Sequence, residues 1–292
     1  MDVLITGASG LIGTALREAL IARGDTVIGV SRDPNVVELG PETEWITWHQ
    51  LQEGIDRSTA VVHLAGAGIA DRRWTPARKR ELRASRIDTA GRVVAAIRDT
   101  TSGPRVLISG SAVGYYGPRG DEPIDESGTP GEGFLADLCR DWEAAAARSG
   151  VRTVLARTGV VLAERSGALP KMAVPFRLGL GGRVGSGDQW ISWIHLDDVV
   201  HLILHAIDSE LEGPLNVTAP QPVTNRELTK ALGRTLKRPT VLRVPSAFLR
   251  LQMGEGASVV TTGQRVLPAK AAESGYAFRF ADVDAGLADL IG

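Results

Sequence analysis

The 292-residue chain has a single cysteine, Cys139. No disulfide can form within it, and no cysteine-based metal cluster can be built. It has no apolar run of the roughly 18 residues needed to span a bilayer. The N-terminus lacks the basic region and long apolar core of a signal peptide, because Asp2 and Thr6 interrupt it at once. Neither sign of charge dominates: 33 Lys and Arg stand against 34 Asp and Glu, a net charge of -1. That balance removes the usual electrostatic argument for a nucleic acid or an anionic membrane surface, although not for a local basic site. What is there is ordinary for a soluble globular protein, 43% hydrophobic and 23% charged. The length suggests about two domains, or one large α/β domain with an appendage. A cytoplasmic enzyme or binding protein is expected, with a small-molecule partner, no nucleic acid, no membrane and no metal. A homodimer is left open.

Short apolar runs alternate with helical patterns. Val3-Leu4-Ile5 reads as a strand buried on both faces, ended by Thr6-Gly7. Leu11 to Arg23 carries apolar residues at helical offsets and stops at Gly24. Thr26 to Val30 is a second strand and Ala60 to Leu64 a third. Arg78 to Arg98 is a long helix, Val106 to Ser109 a strand, Leu135 to Arg148 a helix and Thr153 to Ala156 a strand. This alternation implies βαβ units. The expected fold is α/β, a Rossmann-type doubly wound parallel sheet with a smaller, mainly helical C-terminal domain on the substrate side. Residues 1–162 form the dinucleotide-binding domain, and 193–220 return to it. Residues 163–192, rich in Gly, Pro and Ser without a clear period, read as a loop over the active site. Residues 221–292 form the small C-terminal domain. Within it, Thr224-Asn225-Arg226-Glu227 is a capping box that opens a helix through Leu236.

Between the first strand and the first helix stands Thr6-Gly7-Ala8-Ser9-Gly10-Leu11-Ile12-Gly13. Glycines every three residues let the backbone turn sharply and approach a pyrophosphate, and the helix N-terminus offers free N–H groups to it. The end of the second strand selects the nucleotide. An acidic residue about 20 residues past the loop would bond the ribose hydroxyls. Here the chain reads Val30-Ser31-Arg32-Asp33. The guanidinium of Arg32 matches a 2′-phosphate, and Ser31 can donate a second hydrogen bond. Asp33 can accept a ribose hydroxyl if the register slips by one. NADP(H) is the expected cofactor, in preference to NAD(H).

With the glycine loop, His63-Leu64-Ala65-Gly66 and Trp193-Ile194-His195-Leu196-Asp197-Asp198, the chain resembles an extended short-chain dehydrogenase/reductase. Arg73-Trp74-Thr75, Ser85-Arg86-Ile87, the run from Ser109 to Gly117 and Gly179-Leu180-Gly181-Gly182 narrow the match to the YfcH-like epimerase family proteins. The tail, with Gly263-Gln264-Arg265-Val266-Leu267-Pro268 and Gly275-Tyr276-Ala277-Phe278, is similar to that family's small C-terminal domain of unknown function. The resemblance covers essentially the whole chain. It implies a Rossmann-type fold and an NADP(H) site that adds Leu64, Ala65, Gly66, Arg86, Ser109, Thr158 and Gly159 to Thr6, Gly7, Ser9, Gly10, Leu11, Ile12, Gly13, Ser31 and Arg32.

Extended reductases usually pair a tyrosine with a lysine four residues later on a helix. A phenol with a pKa near 10 works as an acid or base at neutral pH only beside a cation. This chain has Tyr115, Tyr116 and Tyr276, and none is followed by such a lysine. Where the family helix carries the dyad stand Phe134 or Leu135 and Leu138 or Cys139. Ser111 and Ser109 occupy the region of the carbonyl-polarising serine. Tyr115 and Tyr116 lie in the loop that follows, and with Ser111 they are the candidate catalytic groups. Arg86, Lys171 and His195 are candidate partners. Three functions follow. The first is NADP(H)-dependent hydride transfer on an unidentified small substrate. The second is a nucleotide-sensing or binding protein with weak or lost turnover. The third is a nucleotide-sugar epimerase, which the absent acid/base pair disfavours.

Other groups read as structural. His201 and His205 share a helix face without a third ligand. Asp121, Glu122, Asp125 and Glu126 read as a solvated turn around Pro123. Trp74, Trp190 and Trp193 suit either a pocket or the core, and Cys139 suits the core.

Overall fold

The computed structural model describes residues 1–33 and 42–292. The first half comprises β1 (Asp2–Thr6), α1 (Leu11–Ala22), β2 (Thr26–Ser31), β3 (Thr43–Thr47), α2 (Leu51–Arg57), β4 (Ala60–His63), α3 (Pro76–Asp99) and β5 (Val106–Ala112). A 3-10 turn at Val113–Tyr116 leads to β6 (Pro123–Ile124), α4 (Phe134–Ala146), β7 (Arg152–Thr158) and β8 (Val160–Leu162). There follow α5 (Ala168–Arg177), β9 (Gly182–Val184), β10 (Trp190–Ile191), β11 (Trp193–His195), α6 (Leu196–Asp208) and β12 (Gly213–Val217). The chain ends with β13 (Val223–Thr224), α7 (Asn225–Leu236), β14 (Leu242–Val244), α8 (Ser246–Met253), α9 (Ser258–Thr261), β15 (Arg265–Val266), α10 (Ala269–Glu273) and α11 (Val283–Ile291).

Seven strands form one parallel sheet in the order β12-β7-β5-β4-β1-β2-β3. The apolar run of β1 divides by strand period. Val3 and Ile5 pack with Leu16 and Leu20 of α1 and Val199 and Ile203 of α6. Leu4 packs on the opposite face with Ile55 of α2 and Val93 and Ile97 of α3. Helices on both faces explain why these strands are continuously apolar. The chain leaves β1 toward β2 on one side and resumes at β4 on the other. This switch point opens a crevice at the carboxyl ends of β1 and β4, where ligands bind in such sheets.

Two early elements are absent from the sequence reading. β3 is the edge strand, with Thr43 and Ile46 buried and Glu44 exposed, so its apolar signal is broken. α2 has only seven residues, too few for a clear period. The Ala60 strand is therefore fourth in chain order.

The 163–192 segment is not wholly a loop. α5 lies within it and buries Leu169, Ala173 and Phe176, a helical spacing that Pro170 and the internal Pro175 obscure. α5 joins Leu162 of β8, Trp193 of β11, Leu228 and Leu232 of α7 and Leu287 of α11 in a third apolar cluster. α7 has the capping box read from sequence, with Thr224 and Glu227 bonding each other's backbone. Three short strands of the last 70 residues pair with earlier ones: β13 with β10, β14 with β9 and β15 with β6. Among the described residues no helix is long and apolar enough to cross a membrane.

Candidate functional site

The ends of four neighbouring strands meet at the crevice. Thr6 pairs with His63, His63 with Ser109, Ser111 with Arg157 and Ala112 with Thr158. Gly7 turns out of β1 with a φ of 75°, and a Cβ there would lie 2.8 Å from the Leu64 carbonyl carbon. At Gly13 a Cβ would overlap the Gly7 carbonyl oxygen, so this glycine lets α1 sit against the loop. Gly10 differs: its nearest neighbour to a Cβ is the Gly7 oxygen at 3.2 Å, and the space ahead is open. Gly10 is also the N-cap of α1 and has no side chain to cap the helix. The first-turn N–H groups therefore face a cradle without a Cβ, which fits an anionic pyrophosphate.

Hydrogen bonds fix the neighbouring loop. Thr6 Oγ1 accepts from the Ala65 N–H at 3.3 Å and lies 2.7 Å from His63 Nδ1. Thr89 Oγ1 donates to the Ser85 carbonyl and lies 3.4 Å from His63 Nε2. These partners fit the tautomer with the proton on Nε2. Burial lowers the His63 pKa to about 4, so the ring is neutral at pH 7. Ser85 Oγ accepts from the Ala67 N–H at 3.1 Å. In the sequence His63 stands out only as part of a motif, through its strand-end position before Leu64-Ala65-Gly66.

Arg86 reaches under this loop. Its Nη2 donates to the Ala67 carbonyl at 2.9 Å, and its guanidinium lies 5.4 Å from the Trp142 ring centroid. A Cβ on Gly66 would sit 3.1 Å from Arg86 Cζ, so the loop and the cation are in close contact. Burial pulls the Arg86 pKa below its ordinary value.

At the adenosine end, Arg32 and Asp33 are exposed just past β2. Ser31 Oγ accepts from the Asp33 N–H at 3.3 Å and shapes the turn. Thr158 ends β7, and the Gly159 N–H that follows it donates to the Val217 carbonyl.

The three candidate catalytic groups lie over a buried ionic network. Ser111 Oγ donates to Glu143 Oε1 at 2.6 Å. Arg157 grips the same carboxylate with Nε and Nη2, both at 2.9 Å. Burial opposes the Arg157 charge, but Glu143 outweighs it and holds the pKa above its ordinary value. Tyr116 is fully buried; its hydroxyl accepts from Arg157 at 2.9 Å and donates to Asn216 Oδ1 at 2.8 Å. Burial raises its pKa and outweighs the opposing effect of Arg157 and Asn216. The Tyr115 ring lies 3.5 Å from the Arg157 guanidinium carbon. Glu143 and Arg157 escaped sequence reasoning because their 14-residue separation signals nothing until helix meets strand.

Of the four residues at the expected dyad positions, Leu135 and Cys139 lie beside Gly114. A Cβ on Gly114 would contact Leu135 Cβ at 3.3 Å and Cys139 Sγ at 3.8 Å, so this pair faces the end of β5. Phe134 stacks edge-on against Trp74, and Leu138 is buried with Trp74 and Leu82. Burial, reinforced by Glu143, pushes the Cys139 thiol up to about 11.

The other candidates have local partners. Lys171 Nζ bonds Asp71 at 3.2 Å and ties α5 to the loop after β4. His195 Nδ1 accepts from the Asp197 N–H, and its ring stacks on Phe280 at 3.9 Å. His201 bonds the Asp197 carbonyl, and His205 bonds Ser274 Oγ. Trp74 donates to Ile69, Trp193 to Gln221 and Trp190 to Asp121. Glu126 departs from the solvated turn expected of its cluster. It is buried and accepts from the backbone N–H groups of Asn216 and Lys270, because β15 and α10 close over it.

Comparison with known proteins places this geometry. The model of the NAD dependent epimerase/dehydratase family matches residues 3–217, and a domain of unknown function matches residues 244–290. An epimerase family protein of Mycobacterium bovis is 46% identical over 285 residues, covering 94% of this chain and 93% of the relative. The crystal structure of a human epimerase family protein with NADPH superposes with a TM-score of 0.93 at 37% identity, covering 100% of this chain and 99% of that one. A UDP-glucose 4-epimerase from Thermotoga maritima, 21% identical with a TM-score of 0.81, shares the fold. The chain belongs to the NAD dependent epimerase/dehydratase family.

Proposed function

We propose that this protein binds NADP(H) and reduces a small, partly apolar acceptor without a protein-held phenol. One observation supports the reading: of the four residues expected at the acid/base positions, the two beside Gly114, just past β5, are Leu135 and Cys139, and neither is a tyrosine or a lysine. The nucleotide half rests on the glycine cradle and on the related human structure with NADPH. Bound NADP(H) supplies a hydride at the nicotinamide C4. The loop from Thr6 to Gly13, with Ser9, Leu11 and Ile12, holds the pyrophosphate, and Ser31 and Arg32 hold the 2′-phosphate. Leu64, Ala65, Gly66, Ser109, Thr158 and Gly159 wall the remainder, and the 163–192 segment covers the substrate side through the Lys171–Asp71 pair.

The acceptor follows from what the site can protonate. A ketone becomes an alkoxide, which needs a proton as it forms. Ser111 is held by Glu143, Tyr116 is in the core, the Tyr115 ring is packed on the Arg157 guanidinium, and burial with Glu143 nearby pushes the Cys139 thiol up to about 11. A quinone-type acceptor instead becomes a phenolate with a pKa of about 10, which water can protonate afterwards. Arg86 provides a fixed positive charge near that oxygen. The glycine cradle also supports a second reading, a nucleotide sensor without turnover, which the missing pair favours.

Titration and turnover separate these readings. If Arg32 reads the 2′-phosphate, NADPH should bind about 10- to 150-fold tighter than NADH, the worth of one charge-assisted hydrogen bond. Arg32→Ala should remove most of this preference, and salt should shrink it. Equal affinities in the wild type would assign the ribose to Asp33 and NAD(H) to the site. NADPH oxidation should proceed with quinones and not with simple ketones. Tight NADPH binding without turnover of either class would favour the sensor.

A further inference from the structure

The net charge of -1 conceals a strong asymmetry. Residues 165–187 contain four Lys or Arg and residues 228–254 contain six, and neither segment contains Asp or Glu. The structure brings the two together, because β14 pairs with β9 and places Leu242 beside Gly182 and Arg243 beside Arg183. Among the described residues, the large apolar side chains left exposed come almost entirely from these segments. They are Val174, Leu178 and Leu180 after and within α5, Val241 and Leu242 at β14, and Phe248 and Leu251 on α8. Val241 is 87% exposed, Leu251 75%, Leu178 69% and Phe248 57%. α8 has no buried residue at all. Soluble monomers rarely gather such side chains on one face without a partner.

The charges define the partner. Lys171 and Arg234 are neutralised by Asp71 and Asp284, and the bordering acids Asp188 and Glu255 are taken by Arg226 and Lys79. Arg177, Lys230, Lys237, Arg238, Arg243 and Arg250 are exposed, and among the described residues none of them forms an ion pair with an acidic side chain. Lys230, Lys237 and Arg238 line an open cleft of about 380 Å³ with Pro239 and Thr240, next to the exposed Val241. A second copy of this chain would set like charges face to face, which costs binding energy. An anionic lipid surface offers what this face lacks: negative headgroups for the cleft and an acyl boundary for the apolar side chains.

We propose that the face built from α5, β9, β14 and α8 docks on an anionic phospholipid bilayer, with the Lys230–Lys237–Arg238 cleft taking a headgroup. Outside these two segments the chain carries 23 Lys or Arg against 34 Asp or Glu, and this face joins unpaired cations to exposed apolar side chains, which sets the orientation. Docking holds the mouth of the crevice at the lipid. Lys171 of α5 bonds Asp71, and Arg73 donates to the Leu251 carbonyl of α8, so both helices are tied to the loop that follows β4. An apolar acceptor dissolved in the bilayer would then have a short route to the site. The docking itself does not depend on which compound is reduced.

The test is co-sedimentation of the whole chain with vesicles of phosphatidylcholine alone and of phosphatidylcholine mixed with phosphatidylglycerol. Binding is expected with the mixed vesicles only, and it should weaken with salt. Lys237→Ala with Arg238→Ala should weaken it roughly 25-fold, about a factor of five per basic side chain. Phe248→Ser with Leu251→Ser should also reduce binding while leaving the NADPH titration unchanged, which certifies the fold. The proposal is overturned if mixed vesicles fail to bind the chain at low salt, or if both vesicle types bind it equally. It is also overturned if the wild type is a dimer that the Phe248 and Leu251 changes dissolve without lipid, since the face would then join two copies.

Discussion

Two glycines of the first loop have different jobs, and substitution should separate them. A side chain on Gly10 projects into open space where a pyrophosphate would lie, whereas one on Gly13 runs into the loop backbone. Gly10→Val should therefore abolish NADPH binding with little change in melting temperature. Gly13→Val should lose binding and also destabilise the fold by about 1–3 kcal/mol, the usual cost of overpacking. Fluorescence titration and thermal melts on both variants check this, and a stable, NADPH-binding Gly13→Val would refute it. His63 makes a second prediction. Burial lowers its pKa from 6.5 to about 4. Between these values the unfolded chain binds a proton that the folded chain refuses, so stability rises with pH across that window. On the order of 3 kcal/mol should be lost on acidification from pH 6.5 to 4. His195, whose pKa burial also lowers, adds to the same slope. His63→Gln should flatten the dependence without abolishing it; urea unfolding at several pH values would reveal an unchanged slope if His63 were not responsible.

At the scale of the element, α4 shows how one helix face can pass from apolar to ionic. Leu135, Cys139 and Glu143 recur every four residues and all face β5 or β7. Glu143→Leu should cost about 3–5 kcal/mol, because Arg157 would be left buried and unpaired. Adding Arg157→Met should recover much of that loss, since removing both charges also removes the desolvation cost. Chemical denaturation of the single and double variants tests this; a double variant no more stable than the single would contradict it. The helix itself was legible. The expected span of 135–148 and the observed span of Phe134–Ala146 nearly coincide, because its apolar spacing is regular. Its chemistry was not legible, since the partner of Glu143 lies on β7 and the apparent choice among four dyad positions depends on which face meets Gly114. The glycine loop was readable for the opposite reason: its constraints are local, between residues three apart. α5 hid behind Pro170 and Pro175, and β3 hid because an edge strand buries only part of its length. Glu126 sits in a turn-like sequence, and only the distant β15 and α10 bury it.

At the scale of the molecule, the tail is sewn into the sheet domain at four places. Val266 pairs with Ile124 through β15 and β6. Asn216, at the end of β12, donates to the Leu267 carbonyl while accepting from Tyr116. Asp198, fully buried at the start of α6, accepts from the Tyr276 hydroxyl and from the N–H groups of Arg279 and Phe280. Val283 and Leu287 complete the apolar cluster around Trp193 and α7. Removing the tail would strip partners from the buried Asp198 and Glu126 together and open that cluster. Each orphaned buried acceptor costs about 1–3 kcal/mol, more when charged, and a domain has only about 5–15 kcal/mol to lose. The residues matched by the family domain of unknown function should therefore not unfold separately from the rest. Calorimetry of the whole chain should give one transition, and a chain ending at Arg243 should bind a hydrophobic dye and lose NADPH affinity. Asp198→Ala is the milder test: it should lower the melting temperature and speed proteolysis within 276–280, where the tail loses its anchor. Two calorimetric transitions, with the truncated chain still folded and binding nucleotide, would mean that the tail merely rests on the sheet domain.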